Sequence, residues 1–301
     1  IPLDRFYIAR PGEADAESIN AALEEGLNLL LTPGIYRLEA PLRVNRPGAI
    51  VLGFGYPTLV PTQGTPALVI ADVDGVSAGG FLIDAGPRKS PALMIVGEEK
   101  SDVRHQDDPT YLYDIFCRVG GATLGQAACM VIINSHDVVG DHFWLWRADH
   151  GNGVGWDKNM NENALIVNGD HVTVYGLFAE HTQEYQTLWN GEYGRTVMYQ
   201  SEFPYDPPDQ KSWQHGGING WASYRVHPDV KHHRADGLGC YLVLNNKKVN
   251  CATAIETPRG PGIAFTNMVT LWLRGGSLSD VINDTGGGLE ESGAKRVLSY
   301  P

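Results

Sequence analysis

The 301-residue sequence has few cysteines, few basic residues and no long apolar run. Four cysteines are too few for a disulfide scaffold, and no C-x-x-C or His/Cys metal spacing occurs. We therefore expect neither a metal nor another cofactor. No apolar stretch approaches the length of a membrane span, so no membrane partner is predicted. The net charge of −12 lacks the basic surface that nucleic-acid binding needs and disfavours anionic polysaccharides. A neutral glycan is the better match.

The cysteines and the chain start leave two questions open. Cys117 could pair with Cys129, and Cys240 with Cys251, if neighbouring parts of the fold bring them together; four buried free thiols fit equally well. The sequence shows no secretory signal peptide and begins at Ile1 rather than Met. We expect a mature chain or a fragment of a longer one.

Helical periodicity is nearly confined to one segment close to the start. Residues 16–25 place their apolar side chains on one helical face, with Asp15 as the predicted N-cap and Gly26 as the stop. Its apolar face is formed by Ile19, Ala22 and Leu23. We interpret it as a short helix that caps the rest of the fold.

The remainder consists of short segments of β-branched and aromatic residues between Gly, Asn and Asp, which is typical of strands and tight corners. Residues 131–143 align with 165–177 after a shift of 34 residues, which places Asn134 on Asn168; Asn190 lies 22 residues further on. These asparagines are expected at equivalent corners. A repeat of strand, corner and strand with variable insertions predicts an all-β fold, a right-handed parallel β-helix of the pectate-lyase-like solenoid type. A β-sandwich would show cleaner polar–apolar alternation.

Two glutamates carry most of the functional interpretation. Glu180 and Glu202 are 22 residues apart, about one predicted coil, so their side chains would project roughly 4.8 Å apart on neighbouring rungs. Facing carboxylates are what glycosidic bond cleavage needs. Their mutual repulsion predicts a raised pKa for one of them, which would make it a usable general acid. Solvated surface charges are the bland alternative, but both residues end apolar strands among aromatics rather than in charge runs.

The segments around the pair resemble a known family. The sequence A-E-H at 179–181, Y-Q at 185–186 and Q-S-E-F-P-Y at 200–205, with the W-L-W-R-A-D-H segment at 144–150, resembles glycoside hydrolase family 55, the β-1,3-glucanases, and is closest to bacterial secreted members. The resemblance implies that Glu202 is the general acid and Glu180 its companion carboxylate. It also implies an inverting attack on β-1,3-glucan, largely from the chain end, and a secreted protein.

Further site residues are predicted near the pair. Inverting enzymes hold a water between carboxylates about 6.5–9.5 Å apart, more than one rung provides, so another group should position that water. Asp149 is the candidate. Trp189, Tyr193 and Tyr205 are predicted to stack on sugar rings, and at least one of Trp144 and Trp146 is expected in the core. The full set of predicted substrate-binding residues is Asp149, His181, Tyr185, Trp189, Tyr193, Gln200 and Tyr205.

Family members of this kind consist of two β-helices with the cleft between them, and this chain resembles the second alone. The predicted domain is a single β-helix, 1–301, or the C-terminal half of a two-helix enzyme. A second β-helix half, on another chain or an upstream segment, is therefore an expected partner besides the polysaccharide. Two alternatives stay open: a polysaccharide lyase on the same fold, and a non-catalytic glycan-binding β-helix.

Overall fold

Two long sheets run side by side along the chain. The structure, a computed structural model, describes residues 1–301, and it contains a 13-stranded sheet, a nine-stranded sheet and one isolated pair of strands. The first sheet is formed by β1 (Phe6–Ala9), β2 (Asn28–Leu31), β3 (Ile35–Leu38), β5 (Ile50–Gly53), β6 (Thr58–Pro61), β8 (Ser77–Asp84), β10 (Tyr111–Val119), β12 (Val139–Arg147), β14 (Thr173–Glu180), β16 (Gly194–Glu202), β20 (His232–Val243), β22 (Gly262–Arg274) and β24 (Ala294–Tyr300). The second is formed by β4 (Leu42–Val44), β7 (Leu68–Ile70), β9 (Ser90–Val96), β11 (Ala127–Ile133), β13 (Asn163–Val167), β15 (Thr187–Trp189), β19 (Tyr224–Val226), β21 (Asn250–Glu256) and β23 (Ser277–Ile282). The separate pair is β17 (Gln214–His215) with β18 (Ile218–Asn219).

From β7 to β23 the strands alternate between the two large sheets, apart from the inserted β17–β18 pair, and each pairs in parallel with the strand one coil further on. Thus β12 pairs with β14 and β14 with β16 in the first sheet, while β13 pairs with β15 in the second. This is a parallel β-helix, as predicted, and the β-sandwich alternative is wrong. A core of 66 buried residues fills the space enclosed by the coils. The final strand, β24, pairs antiparallel to β22 and closes that end of the first sheet.

The predicted capping helix is present as α1 (Ala16–Glu24), after a short 3-10 turn at Leu3–Arg5. Its capping box is complete, because Ser18 N donates to Asp15 Oδ1 at 2.8 Å and Asp15 N donates to Ser18 Oγ at 3.0 Å. The buried face of α1 is the predicted one, Ile19, Ala22 and Leu23. The helix packs on β1, β2 and β4, so it covers the open end of the core.

All four cysteines are buried free thiols, so the disulfide alternative is wrong. Cys117 lies in β10 and Cys129 in β11, which belong to different sheets. Burial among apolar side chains raises the pKa of Cys129 and of Cys240 to about 12. The thiols therefore stay protonated and act as small core residues.

The predicted corner asparagines form a ladder along the β-helix. Asn168 Nδ2 donates to Asn134 Oδ1, and Asn190 Nδ2 donates to Asn168 Oδ1, both at 2.8 Å. Phe143 pairs with Leu177 in register, which confirms the 34-residue alignment. The ladder keeps neighbouring coils in register, and register decides which side chains meet on the outer face of the sheet.

A buried histidine holds the long connection between β9 and β10 against the coils. His105 is 2% exposed, with its Nδ1 at 2.7 Å from Asp74 Oδ1 and its Nε2 at 3.0 Å from Asp72 Oδ1. Burial by itself lowers the pKa of His105, but the hydrogen bonds to Asp74 and Asp72 outweigh burial, so that pKa is raised. Burial opposes ionisation of Asp72, but hydrogen bonds from Ser101, Ser135 and His105 keep its pKa lowered.

We expect His105→Gln to destabilise the chain mainly at mildly acidic pH. Because the pKa of His105 is raised in the folded chain, its contribution to the free energy of unfolding is complete below the pKa of histidine in the unfolded chain, about 6.5. That contribution is lost as the pH rises through the folded pKa. Because the pKa of Asp72 is lowered, its own contribution to the free energy of unfolding is lost only when the pH falls below about 3.8, through the folded pKa. Urea denaturation at pH 5.5 should show a loss of about 2 kcal/mol, with a smaller loss at pH 9.

The matched control is His227→Gln, because His227 faces Asp229 across 3.6 Å but both side chains are exposed. Exposed pairs contribute little, so this variant should unfold like the parent at both pH values. An equal loss of stability at pH 5.5 and 9 in His105→Gln would contradict stabilisation by a protonated His105 between Asp72 and Asp74.

Candidate active site

Glu180 and Glu202 meet at the carboxyl ends of two neighbouring strands. Glu180 is the last residue of β14 and Glu202 the last of β16, and the two are direct partners in the parallel register. Since neighbouring strands lie about 4.8 Å apart, both carboxylates project from adjacent rungs on the outer face of the first sheet. Neither belongs to the core, and both are partly buried.

The pair lies in a groove of about 650 Å³ that crosses the strands of the first sheet. One row of outward side chains runs Phe116, Trp144, Phe178 and Gln200 through the aligned registers. The next row runs Trp146, Glu180, Glu202 and Tyr241. The lining residues are Phe116, His142, Trp144, Phe178, Glu180, Gln200, Glu202, Tyr241, Leu271 and Leu273. The groove therefore combines aromatic walls with two carboxylates.

One oxygen of Glu202 is held by two neighbours. The Tyr205 hydroxyl donates to Glu202 Oε2, and His181 Nε2 lies 3.4 Å from the same oxygen. The hydrogen bond with His181 lowers the pKa of Glu202, and the bond from Tyr205 adds to it against the opposing effect of burial. The predicted rise is thus wrong for Glu202, because the hydrogen bonds with His181 and Tyr205 outweigh the effect of burial.

Glu180 is held by a tryptophan instead. Trp144 Nε1 donates to Glu180 Oε2 at 2.9 Å, and the Trp144 ring stacks on Trp146 with centroids 5.6 Å apart. Trp144 is 42% exposed and Trp146 is partly exposed. The expectation that at least one of these indoles lies in the core is wrong, because β12 turns both outward beside the pair. Their exposed surfaces form one side of the site.

Other predicted residues gather around Glu202. Asp149 Oδ1 lies 3.8 Å from His181 Nδ1, so Asp149 stands behind the histidine. Burial raises the pKa of Tyr205, as do its hydrogen bond to Glu202 and the charges of Glu202, Asp149 and Glu180. Tyr205 therefore remains a hydrogen-bond donor among three acidic groups. The Gln200 side-chain oxygen is buried in the groove wall and has no partner in the protein.

Three predicted sugar-binding residues lie elsewhere. Trp189 is 0% exposed and belongs to the core, so the prediction that it stacks on a sugar ring is wrong; β15 turns the indole inward. Tyr185 is buried, with its hydroxyl 3.1 Å from His215 Nε2 and bound by Arg225, away from the groove. Tyr193 is exposed but stacks between His171 and His232, with centroids 4.6 and 4.5 Å away.

Tyr193 is also too distant to serve the pair. It directly precedes the first residue of β16, whereas Glu202 is the last, and eight residues of strand span roughly 26 Å. The predicted stacking of Tyr193 on a sugar beside Glu202 is therefore wrong. Sequence proximity placed it near the site, but the extended strand carries it to the opposite end of the sheet.

Sequence reasoning missed several residues of the site. Asp206 was not singled out from the sequence, yet its carboxylate accepts two hydrogen bonds from the buried guanidinium of Arg147, at 2.8 and 3.0 Å. Phe178, Tyr241 and Leu271 were not singled out as lining residues. The available signal was the register itself, since each lies one or more coils from Glu180 or Glu202 at a matching or adjacent outward position.

The structure contains no group of three or more His, Cys, Asp or Glu side chains placed to hold a metal ion. Its single α-helix is too short and too polar to cross a lipid bilayer. The adjacent His232 and His233 face opposite ways, with His232 exposed on the stack and His233 buried.

A family model described as the LAM55 pectate lyase-like domain matches residues 6–202, the region that carries both glutamates. The chain belongs to this LAM55 family. The match confirms the resemblance to β-1,3-glucanases that the glutamate segments predict. An exo-beta-1,3-glucanase of Streptomyces sp. (strain SirexAA-E / ActE) is 43% identical over 288 residues, 95% of this chain and 47% of that protein.

Solved structures of a LAM55 protein have the same fold as this chain. The structure of sacteLam55A from Streptomyces sp. SirexAA-E covers 100% of the chain at 42% identity with a TM-score of 0.98. A glutamate-to-alanine variant of sacteLam55A, refined as an ensemble in complex with glucose, matches equally well. The chain spans about half the length of these relatives, 47% of the glucanase and 55% of the solved chain.

Proposed function

We propose that this chain is the acid-bearing β-helix of a glycoside hydrolase that cleaves β-1,3-glucan, with Glu202 as general acid. The observation that carries the proposal is the register pairing of Glu180 with Glu202 inside an aromatic-walled groove. Aromatic faces with a few placed polar groups are a typical lining for a small-molecule or sugar site. The name of the glucanase relative and the glucose complex of the solved variant support the substrate class.

Glu202 has one oxygen available for the scissile bond. Its Oε2 is occupied by Tyr205 and His181, whereas Oε1 receives no hydrogen bond from the protein and is not buried. In our proposal Oε1 passes the proton to the leaving glycosidic oxygen. Because His181 favours the ionised carboxyl, the acid must receive its proton when sugar fills the groove and removes water, which favours the neutral form.

Glu180 and Gln200 are proposed to bind the sugar next to the scissile bond. One carboxylate oxygen of Glu180 accepts a hydrogen bond from Trp144 Nε1, and the other is free to accept one from a sugar hydroxyl group. The unpaired, buried oxygen of Gln200 needs a donor, and a sugar hydroxyl would satisfy it. Tyr205 stays a proposed aromatic contact, and beside Glu202 Trp144 takes the place of Trp189 and Tyr193.

An inverting mechanism needs a water on the far side of the sugar. One rung of separation places Glu180 too close to Glu202 to hold that water between them. Asp149, behind His181, is the candidate on this chain, and a segment corresponding to the part of the relative that this chain does not match would supply further groups. We also propose that the protein is secreted, since polymeric glucan is an extracellular substrate for cells.

A lyase is a weaker alternative, because abstraction of a proton beside a uronate requires a basic residue. No lysine or arginine lines the groove around the glutamates, and its one histidine, His142, has its Nδ1 2.6 Å from Asp114 Oδ1. The lining instead offers carboxylates, an amide and aromatic rings. These groups match a neutral sugar better than a uronate.

We expect sugar release from laminarin and not from cellulose, pullulan, dextran or arabinan. The assay measures reducing sugar, with proton NMR of the first product to detect inversion at the anomeric carbon. Unsaturated products would instead indicate a lyase. Binding of laminarin without release, by this chain and by a longer chain that includes its neighbouring half, would show a glycan-binding β-helix.

A further inference from the structure

A single buried arginine connects to both groups that hold Glu202. Arg147 ends β12 and is 1% exposed. Its guanidinium makes five hydrogen bonds, to Asn159 O, His181 O and Gly155 O and to both carboxylate oxygens of Asp206. The two bonds to Asp206 form the parallel fork that only a guanidinium can supply.

The first connection runs through His181. This residue follows β14 directly and has a left-handed backbone, with φ of +64°, which is a costly conformation for a residue with a Cβ. Its carbonyl oxygen accepts from Arg147 Nη1 at 3.2 Å, and its Nδ1 donates to the Arg147 carbonyl oxygen at 3.1 Å. Because that carbonyl can only accept, Nδ1 carries a proton, and Nε2 is the nitrogen turned to Glu202. Nε2 donates to Oε2 when the ring is protonated on both nitrogens, as an imidazolium facing the ionised carboxylate.

The second connection runs through Asp206 to its neighbour Tyr205. The segment after β16 is proline-rich and leaves the sheet, so no strand pairing orders it. The fork between Arg147 and Asp206 anchors this segment beside the buried arginine. Tyr205 then packs on His181, with ring centroids 4.4 Å apart, and donates to Glu202 Oε2.

We infer that Arg147, acting through Asp206 and His181, is the positioning residue that sets which oxygen of Glu202 faces the groove. The inference rests on the proposed role of Glu202 as the acid. Arg147 itself touches no part of the groove, since it is buried and absent from the lining. Its effect is to hold two donors on Oε2 and so to leave Oε1 for the substrate.

The test is the titration of Glu202 in the whole chain, followed by carboxyl-carbon NMR. Asp206→Asn loosens the fork and should release Tyr205, so the titration midpoint of Glu202 should rise by roughly half to one pH unit. Tyr205→Phe should give a similar rise. The double variant should rise no further than Tyr205→Phe alone, because both changes remove the same hydrogen bond.

Asp209→Asn is the matched control, because Asp209 lies in the same segment but its carboxylate only accepts from the exposed Ser212 N. This control should titrate like the parent. Should Asp206→Asn be too unstable to measure, Arg147→Lys, which keeps the charge and loses the fork, should shift the midpoint in the same direction. An unshifted Glu202 in a folded Asp206→Asn or Arg147→Lys variant, with a shift in Tyr205→Phe, would overturn the inference.

The NMR result does not depend on turnover. If the parent chain hydrolyses no glucan, the proposed function fails while the positioning of Glu202 is still decided by the titration. If it does hydrolyse glucan, the basic limb of the pH–rate profile should move upward in Asp206→Asn by the same amount as the midpoint, because a general acid works in its protonated form. An unmoved limb would overturn the inference.

Discussion

Glu202→Gln should lower the rate of β-1,3-glucan hydrolysis by about 10²–10⁴-fold, the usual contribution of a general acid. Glutamine has the shape of glutamate and still accepts from Tyr205, so the groove should keep its form and the Michaelis constant should change little. What it cannot do is pass a proton to the leaving oxygen. Initial rates on laminarin, with circular dichroism to verify folding, measure the effect.

Glu256→Gln is a closely matched control for that experiment. Glu256 also ends a strand, β21, and its side chain is 22% exposed against 23% for Glu202. Its carboxylate accepts a hydrogen bond from the Tyr185 hydroxyl and faces Arg225 on the second sheet, away from the groove. Hydrolysis by this variant should equal that of the parent. A fully active Glu202→Gln protein would remove Glu202 from the mechanism.

Trp189→Ala should destabilise the fold by about 3–5 kcal/mol, the usual loss when a large aromatic is removed from a core. The indole is 0% exposed and packs between Tyr224 and His233, with centroids 6.4 and 4.9 Å away. No neighbouring side chain can fill the space without moving a coil. Chemical denaturation followed by tryptophan fluorescence and circular dichroism measures the loss.

The comparison variant is Trp144→Ala, whose indole is 42% exposed and lines the groove. It should unfold within about 1 kcal/mol of the parent, as surface substitutions do, and should weaken binding of laminarin oligosaccharides. The two tryptophans thus separate stability from sugar contact. Weak sugar binding with unchanged stability in Trp189→Ala would restore the stacking role predicted from the sequence.

The relation between Glu180 and Glu202 follows from the sequence because it depends on local rules. A strand rung repeats its side-chain directions every two residues, and corner asparagines spaced by whole coils keep neighbouring rungs aligned. Counting coils therefore predicts which residues stack, and the same rule places Phe143 on Leu177. The cap on α1 is local in the same sense, since Asp15 and Ser18 are one helical turn apart.

Residues in the turns and long insertions were predicted less well. Tyr185, Trp189 and Tyr193 lie between the two glutamates in sequence, yet the coil carries them around the second sheet before the chain returns at β16. Within one coil, a short separation in sequence therefore does not predict a short distance in space. Whether a side chain is buried depends on the direction in which it leaves the strand. Neighbouring residues point to opposite faces, so an error of one residue moves a side chain from the outer face to the core.

The amino-acid order was enough to give the coil, the facing glutamates and the family, because these depend on periodic contacts between equivalent positions. The contacts around Glu202 required the folded chain. Arg147 and Asp206 are 59 residues apart and follow no repeat, and their pairing arises because an insertion and a proline-rich segment meet over the same strand end. A buried charge contacts its partner through space, so the connection from Arg147 to Glu202 could be inferred only from the tertiary structure.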